Sequence, residues 1–423
     1  MLQINLIREN PDQVAKALKK KNFDAEAIIE RILEVDNERR ATQKKLDDAL
    51  AESKTIARQI GELMKAGDQD KANHLRKLTS DMKMTAKDLQ DSLSKWESEQ
   101  ESLLVLLPNL PHDLVPFGKT PEENEIVNSE GVVPELHEKA LSHWDLASKY
   151  DIIDFELGTK ITGAGFPVYK GKGAKLQRAL ISFFLDEATK AGYLEVQPPL
   201  MVNEASAYAT GQLPDKDGQM YHVTVDNLYL IPTAEVPVTN IYRDMIFRED
   251  QLPMKNTAYS ACFRREAGSY GKDVRGLNRL HQFDKVEIVQ VTQPEKSYDT
   301  LEEMREYVTS LLRKLELPFR ILRLCGGDMS FASAMTYDME VFSAAQKRWL
   351  EVSSVSNFET FQAHRMKLRY KNKDGKTVLA HTLNGSALAL PRILAALLEN
   401  NQHEKGIKIP AALVPYTGFD NIS

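Results

Sequence analysis

Two heptad repeats near the N-terminus constrain the fold of this chain more than any other feature. The first covers residues 28–63 in alternating steps of four and three, imperfectly in its middle, and the second covers residues 75–103. Such repeats predict two long helices that each bury one seam. Gly67 lies in the short interruption and is the expected helix cap. Helices joined by a short turn run antiparallel, so we expect a helical arm about 55 Å long that acts as a spacer or an interaction module.

Each predicted helix has its own seam of buried positions. The seam of the first helix comprises Ile28, Ile32, Val35, Arg39, Thr42, Leu46, Ala49, Ser53, Ile56, Ile60 and Leu63. The seam of the second helix comprises Leu75, Leu78, Met82, Thr85, Leu89, Ser92, Trp96, Glu99 and Leu103.

The composition indicates a soluble protein of a reducing compartment. The 423 residues include only two cysteines, Cys262 and Cys325, far apart in sequence, which argues against a disulfide framework. The nine histidines show no His-x-x-x-His spacing, and no Cys-x-x-Cys pair exists, so no zinc site is expected. The N-terminus lacks a cationic leader with an apolar core, and apolar runs such as residues 103–107 are too short to span a bilayer. We therefore expect a cytoplasmic protein without a membrane partner.

The net charge of −6 does not favour a nucleic-acid-binding protein on composition alone. Phosphate contacts need only a local basic stripe, however, and residues 16–21 contain four lysines. The same lysines could instead form the solvated end of a helix. The sequence leaves these two interpretations open.

A polar segment punctuated by prolines follows the predicted arm and is incompatible with a continuous helix. It divides the chain into a helical arm at 1–107, a linker at 108–131 and a larger domain at 132–423. In the larger domain, strands come in hairpin-like pairs and do not alternate strictly with helices. This order predicts an antiparallel sheet with flanking helices, and so an α+β fold.

The clearest hairpin lies between Cys262 and Val289, where a glycine-rich loop separates two strand-like runs. Because side chains alternate across a strand, one face should collect polar and aromatic residues, while Val286 and Ile288 face a core. Guanidinium groups match phosphate oxygens, and a phenylalanine ring can stack on a purine. The face could hold a nucleotide beside a small cationic or hydroxylated substrate, or it could simply be a charged surface. Its members are Arg264, Glu266, Arg279, Phe283 and Glu287.

Residues 263–266 read Phe-Arg-Arg-Glu and resemble motif 2 of the class II aminoacyl-tRNA synthetases. Residues 263–287 closely resemble the seryl-tRNA synthetases, and the resemblance extends over essentially the whole chain. It implies an N-terminal antiparallel coiled-coil arm, which in that family grips the long variable arm of the transfer RNA. It also implies a class II catalytic domain built on an antiparallel sheet flanked by helices.

The resemblance implies a serine-binding site. Residues 233–235 resemble the Thr-x-Glu segment that holds the amino group of serine, although they could equally begin a helix with Thr233 as its cap. Glu287 resembles the carboxylate that accepts the serine hydroxyl, and Ser386 resembles a residue lining the serine pocket. The expected serine-binding set is Thr233, Ala234, Glu235, Glu287 and Ser386.

The resemblance also implies an ATP site with two catalytic arginines. Arg264 resembles the residue that bridges the α-phosphate and the amino-acid carboxylate, and Arg392 resembles the motif 3 residue that holds the γ-phosphate. Glu266 resembles the residue that contacts the edge of adenine, and Phe283 resembles the ring on which adenine stacks. The expected ATP-binding set is Arg264, Arg265, Glu266, Arg279, Leu280, Phe283, Glu351, Val352, Ser353, Ser354 and Arg392, with Arg275 as a further phosphate candidate.

Residues 351–354 resemble the metal-binding segment of the family. Glu351 and Ser354 are the expected metal ligands, because a carboxylate and a hydroxyl suit a Mg²⁺ ion that is held mainly by the triphosphate. Residues 381–392 resemble motif 3, with Ala387 and Pro391 standing where relatives often carry glycine. Both residues are compatible with a turn at a helix start.

Residues 190–200 resemble motif 1, whose helix and strand build the dimer interface of this class, and Pro198 matches its proline. The resemblance therefore implies a homodimer through the region around Pro198.

The resemblance implies ATP-dependent attachment of serine to tRNA(Ser) through a seryl-adenylate. The expected partners are ATP, L-serine, tRNA(Ser) and, where the source organism has one, tRNA(Sec). Two alternatives are a synthetase paralogue that loads another acceptor and a non-catalytic coiled-coil scaffold. Such paralogues characteristically lack the arm, and degeneration would first remove Arg264, Glu351 or Arg392, all of which are in place.

Overall fold

The protein is described from a computed structural model. The structure describes residues 1–215, 217–266 and 275–423. It contains two compact units, the first formed by Met1–Lys19 with Phe23–Pro108 and the second by Lys20–Asn22 with Asn109–Ser423. The predicted domain boundaries, which include a separate linker, stay a prediction.

Two long helices make up most of the first unit, and their hairpin confirms the predicted helical arm. The longer has 40 residues and the other has 36. Between them Gly67 has φ +80°, a conformation that favours glycine just past a helix end. Asp68 begins the second helix, and its side chain accepts a hydrogen bond from the Lys71 backbone N–H. The helices are α1 (Ile4–Glu9), α2 (Pro11–Leu18), α3 (Glu26–Lys65) and α4 (Gln69–Leu104).

The seam predicted for α3 is confirmed, because every predicted position is buried or half-buried. On α4 the prediction is wrong at Leu78, which is 42% exposed, and at the exposed Thr85. The buried line passes instead through Thr79 and Ala86 to Leu93. Alternating steps of four and three that start at Leu75 include these positions. The predicted seam took a step of three from Leu75 to Leu78 and therefore left this line.

Replacing Leu93 by alanine should lower the free energy of opening the arm by about 2–4 kcal/mol, because the buried side chain leaves a cavity. Leu78→Ala, the matched control on the exposed side, should change it by less than about 0.5 kcal/mol. Hydrogen exchange of α3 and α4 in the full-length protein measures the opening. Equal acceleration in both variants would contradict the corrected seam.

The second unit is built on an eight-stranded sheet in the order β1-β11-β12-β13-β16-β10-β9-β4. Neighbouring strands are antiparallel, apart from the parallel pair of β4 and β9. Together with its flanking helices, this sheet confirms the predicted α+β fold. Its strands are β1 (Glu125–Glu130), β4 (Leu194–Glu195), β9 (Met254–Phe263), β10 (Gln282–Thr292), β11 (Phe319–Arg323), β12 (Met335–Ser343), β13 (Arg348–Glu359) and β16 (His381–Ala389).

Short strands form smaller sheets around the large one. They are β2 (Ile153–Asp154), β3 (Val168–Tyr169), β5 (Met201–Asn203), β6 (His222–Val223), β7 (Leu228–Leu230), β8 (Ile246–Arg248), β14 (Arg369–Lys371), β15 (Thr377–Leu379), β17 (Gln402–His403), β18 (Gly406–Lys408) and β19 (Asn421–Ile422).

Helices cover the sheet and complete the core. Val286 and Ile288 of β10 are fully buried among residues of α7, α10 and α12, as predicted for the core face of the hairpin. The helices of this unit are α5 (His143–Lys149), α6 (Phe155–Ile161), α7 (Gly171–Lys190), α8 (Glu204–Thr210), α9 (Glu235–Asn240), α10 (Ser297–Lys314), α11 (Thr360–Met366), α12 (Leu390–Asn400) and α13 (Val414–Thr417). Among the described residues, no helix combines the length and the apolar character needed to cross a membrane.

Part of the stretch predicted as a linker belongs to the sheet. Residues Glu125–Glu130 form the edge strand β1, which pairs antiparallel with β11. Its residues are mostly exposed, so the strand lacks the alternation of apolar and polar residues that would reveal it in the sequence.

Neither interpretation of the lysines at 16–21 describes Lys20 and Lys21. The Lys21 ammonium donates to the carbonyl oxygens of Ser330 and Ser333 at 2.8 and 2.7 Å. The Lys20 ammonium donates to the carbonyl of Asp113 at 3.1 Å. These two lysines therefore bind backbone oxygens of the second unit and do not form an open basic stripe.

Candidate active site

A cleft of about 200 Å³ lies over neighbouring strands of the large sheet, with arginines prominent in its wall. It draws on the ends of β9 and β10, on β13 and on the junction of β16 with α12. The lining residues are Arg264, Glu266, Leu277, Asn278, Arg279, Leu280, Phe283, Lys285, Glu351, Val352, Ser353, Ser386, Ala389, Pro391 and Arg392.

The predicted strand–loop–strand around Arg264 is confirmed, as β9 and β10 form an antiparallel pair. The central part of its loop, residues 267–274, lies outside the described residues. The Arg264 guanidinium lies 5.3 Å from the centre of the Phe283 ring. Arg279 forms an ion pair with Glu266 at 3.1 Å. Glu266 has φ +49°, a conformation uncommon for residues with a side chain, and such strain often marks functional sites.

A buried carboxylate lies beside the cleft, next to the lining residues Lys285 and Ser386. Glu287 is 1% exposed; its Oε2 accepts a hydrogen bond from the Thr233 hydroxyl at 3.0 Å and pairs with the buried ammonium of Lys285. Within the described part of the chain, the other oxygen, Oε1, is buried and has no hydrogen-bond partner. Such an oxygen is costly to bury, so it points to a donor on a ligand.

A second buried carboxylate, Glu235, lies at the start of α9 next to Thr233. It accepts a hydrogen bond from Gln362 Nε2 at 2.7 Å. Burial, together with the nearby charge of Glu287, raises the pKa of Glu235 to about 7. The Thr233 hydroxyl accepts a hydrogen bond from the Glu235 backbone N–H at 3.2 Å. Thr233 thus links the start of α9 to Glu287. Ala234, which lies between Thr233 and Glu235 in the sequence, is fully buried.

Arg392 lies in the cleft wall, in the first turn of α12, directly after Pro391. Its Nε donates to the Asn278 carbonyl at 3.0 Å, and its NH1 donates to the Glu351 carbonyl at 2.8 Å. Ser353 Oγ donates to the carbonyl of Ser386 at 2.5 Å, which ties β13 to β16. The arginine side chain is therefore held by backbone oxygens from two segments of the cleft wall.

The two predicted metal ligands lie on β13. Glu351 lines the cleft, whereas Ser354 does not line it and hydrogen-bonds to Asp338 of β12. Burial and the charge of Glu351 raise the pKa of Asp338 well above its usual range, and among the described residues its Oδ1 has no partner. The donor oxygens fit a hard cation. In the described ranges, no three His, Cys, Asp or Glu side chains group as a metal site, so Mg²⁺ would need further ligands from a nucleotide.

Most, but not all, of the predicted site residues line the cleft. The residues that lie together outside the lining, beside the cleft, are Thr233, Ala234, Glu235 and Glu287. Arg265 and Ser354 are also absent from the lining, and the Arg265 backbone N–H donates to the Gln219 carbonyl. The further phosphate candidate Arg275 stacks on Trp144 at 4.6 Å.

Sequence reasoning missed several residues of the cleft wall. Lys285 is the most consequential, because its buried ammonium neutralises Glu287. It shares the strand parity of Phe283 and Glu287, and that parity was the available signal. The other missed lining residues are Leu277, Asn278, Ala389 and Pro391.

A buried polar network supports the cleft from behind. His143 is fully buried, with Nδ1 2.7 Å from Glu399 Oε1 and Nε2 accepting from the Leu277 backbone N–H at 2.9 Å. Gln346 donates to Glu399 and accepts from the Asn278 side chain. Burial would raise the pKa of Glu399, but hydrogen bonds, chiefly from His143, hold the pKa below its ordinary value. The network fixes two residues that line the cleft.

Two family models match the sequence. The seryl-tRNA synthetase N-terminal domain matches residues 1–111, and the tRNA synthetase class II core domain (G, H, P, S and T) matches residues 221–401. A serine–tRNA ligase of Salinibacter ruber is 49% identical over 424 residues, covering 100% of this chain and 99% of that protein. A serine–tRNA ligase of Chlorobium luteolum is 46% identical, covering 100% and 99%.

Solved structures agree with these relatives. The seryl-tRNA synthetase of Pyrococcus horikoshii complexed with ATP has a TM-score of 0.92 and 32% identity, covering 100% of this chain and 99% of that chain. The cytoplasmic serine–tRNA ligase of Naegleria fowleri in complex with AMP has a TM-score of 0.88 and 26% identity, with the same coverage.

His143→Phe should lower the free energy of unfolding by about 3 kcal/mol, because the ring keeps its size but leaves Glu399 and the Leu277 N–H buried without their partner. His222→Phe is the matched control at an exposed position and should change stability by less than about 0.5 kcal/mol. Thermal and urea denaturation measure both. Equal stability of the two variants would contradict a stabilising role for this network.

Proposed function

The chain belongs to the seryl-tRNA synthetase family and is a ligase that joins serine to tRNA; we propose that it does so through a seryl-adenylate formed in the cleft. The observation that carries this proposal is the buried Oε1 of Glu287, which has no partner among the described residues and lies beside a cleft lined by arginines. That combination suits a small hydroxylated amino acid placed beside a nucleotide.

The buried group of Glu287, Glu235 and Thr233 beside the cleft suits serine in particular. In the proposed complex, Glu287 Oε1 accepts the serine hydroxyl, and Glu235 with Thr233 holds the ammonium group. Alanine would leave Glu287 Oε1 without a donor, and a missing hydroxyl at such a site costs far more than a missing methylene. Threonine would be excluded because its additional methyl group would find no room next to Thr233, Glu235 and Glu287, which are all buried. Ser386, which lines the cleft on the neighbouring strand, would complete the pocket.

The cleft itself, lined by Arg264, Phe283 and Arg392, suits ATP. Adenine would stack on Phe283, whose ring already carries the Arg264 guanidinium at 5.3 Å. Glu266 would contact the edge of the adenine base, and Arg279, its ion-pair partner, would turn towards a phosphate. Arg392 would take the γ-phosphate in place of the backbone oxygens that it binds in this structure. The remaining contacts would come from Arg265, Leu280, Val352 and Ser353.

The proposed reaction needs no protein nucleophile. The serine carboxylate attacks the α-phosphorus of ATP, a P–O bond forms, and pyrophosphate leaves. Arg264 would lie between the two anions, so it can hold the carboxylate and the α-phosphate together and stabilise the charge that develops between them. The 3′-terminal adenosine hydroxyl of the tRNA then takes the seryl group, and AMP leaves.

Glu351 and Ser354 would hold a Mg²⁺ ion together with the triphosphate, with Asp338 orienting the Ser354 hydroxyl from behind. The bound ion would neutralise part of the phosphate charge. No zinc is expected in this proposal.

The arm of α3 and α4 would grip the long variable arm of tRNA(Ser), and of tRNA(Sec) where the source organism has one. The match of residues 1–111 to the N-terminal domain of the family supports this role. We also propose a cytoplasmic homodimer that pairs through the region around Pro198. Exposed apolar side chains before and after this proline support that surface, namely Leu194, Leu200 and Met201.

Arg264→Ala should reduce serine-dependent ATP–pyrophosphate exchange by at least about a thousandfold, because it removes the group that joins the two reacting anions. The control is Arg248→Ala, which removes an exposed arginine that pairs with Asp250, two residues away, and should leave exchange unchanged. Near-normal exchange in Arg264→Ala would contradict the proposed site. Charging of tRNA(Ser) by the unmodified enzyme tests the second step.

Serine binding should release protons near pH 7. Without serine the pKa of Glu235 is about 7, because burial and Glu287 disfavour its charge, so roughly half of the molecules carry the proton at that pH. The ammonium of serine favours the charged form and lowers this pKa. Calorimetry in two buffers of different ionisation enthalpy should show release of about half a proton at pH 7 and less at pH 8. No buffer dependence at pH 7 would contradict ammonium binding by Glu235.

A further inference from the structure

We propose that Gln362 is a positioning residue for amino-acid recognition, which holds Glu235 as an oriented acceptor for the ammonium group of the substrate. This inference rests on the proposed function, because it concerns how the serine end of the cleft is built. Gln362 lies on α11, is 1% exposed, and would itself touch no substrate.

The amide of Gln362 is bound at both of its ends. Its Nε2 donates to Glu235 Oε1 at 2.7 Å and to the carbonyl of Thr210 at 3.1 Å. Its Oε1 accepts a hydrogen bond from the Thr382 hydroxyl at 2.7 Å. The Thr210 carbonyl can only accept, so it requires the amide nitrogen on the side that faces Glu235, and the Thr382 hydroxyl holds the amide oxygen on the other side.

This arrangement requires a neutral donor at position 362. A carboxylate could not donate to both Glu235 and the Thr210 carbonyl, and an apolar side chain would leave Glu235 Oε1 and the Thr382 hydroxyl without these bonds. Because Gln362 binds Oε1, the plane of the Glu235 carboxylate is fixed, and a ligand meets the carboxylate in one orientation.

The charges around Glu235 explain why such a donor matters. On β10, Glu287 disfavours the negative charge of Glu235, whereas Lys285 favours it. Arg264, which follows β9, also favours this negative charge. On α11, the group that contacts Glu235 is the uncharged amide of Gln362. Burial strongly opposes the charge, so a hydrogen bond to the anion helps Glu235 to be ionised when the ammonium arrives.

The experiment measures direct binding of two probes by calorimetry. The first is 5′-O-(N-L-serylsulfamoyl)adenosine, a stable analogue of seryl-adenylate, and the second is the same molecule without its amino group. Gln362→Met keeps the size of the side chain and removes its donors. This variant should weaken binding of the seryl probe by about tenfold or more, as expected for a lost hydrogen bond to a charged group. It should weaken binding of the desamino probe by no more than about twofold.

Two further variants separate positioning from packing. Thr382→Val keeps Gln362 but removes the hydroxyl that holds its amide oxygen, so it should weaken binding of the seryl probe in the same direction and spare binding of the desamino probe. Gln177→Met is the matched control, because Gln177 is also a buried glutamine and donates to a carboxylate, Asp284, of β10 at 2.8 Å. This control should bind both probes like the unmodified enzyme.

Equal weakening of both probes in Gln362→Met and Thr382→Val would overturn the proposal, because it would indicate a structural role without preference for the amine. Unchanged binding of both probes would also overturn it. Failure of the unmodified enzyme to bind the seryl probe would instead refute the proposed function. If Gln362→Met does not fold, Thr382→Val, which deletes only one hydroxyl, decides the question alone.

Discussion

The architecture of the cleft depends on the burial of one carboxylate. Glu287 lies within the central sheet and is 1% exposed, where an unpaired charge would be very costly. Lys285 and Thr233 satisfy one of its oxygens and leave the other without a partner among the described residues. Burial and this same charge raise the pKa of Glu235, and both make the hydrogen bond from Gln362 valuable. A ligand that brings a hydroxyl and an ammonium group would satisfy both carboxylates at once.

The sheet order brings distant parts of the chain to this carboxylate. Strands β13, β16, β10 and β9 are neighbours, although more than a hundred residues separate β9 from β16. Strand β13 carries Glu351 and Ser354, and β16 leads into Arg392. Strand β10 carries Phe283 and Glu287, and β9 leads into Arg264. Rigid strands hold such groups more accurately than loops would, which is what a reaction between two anions requires.

Regular periodicity made the arm and the hairpin predictable from the sequence. The heptads predict the seam of α3. On α4 they put Leu78 on the seam, although Thr79 is the less exposed of the two residues. Small or polar residues at seam positions give no hydrophobic signal, so the sequence does not show where the repeat begins. The edge strand β1 was missed because an exposed, polar strand has no apolar alternation. Lys285 and Gln362 were missed as site residues for different reasons. Lys285 shares the strand parity of Glu287, but parity alone does not show that the two side chains pair. Gln362 contacts Glu235, 127 positions away in the chain, only in the folded structure.

Amino-acid-dependent ATP–pyrophosphate exchange, measured with each of the twenty amino acids and without tRNA, tests the central claim most directly. It examines the buried acid, the ammonium site and the arginines together, before any acceptor takes part. The account predicts exchange with serine, with alanine and threonine close to background. Exchange with another amino acid in preference to serine would contradict the role of Glu287, and no exchange with any amino acid would contradict the proposed adenylate.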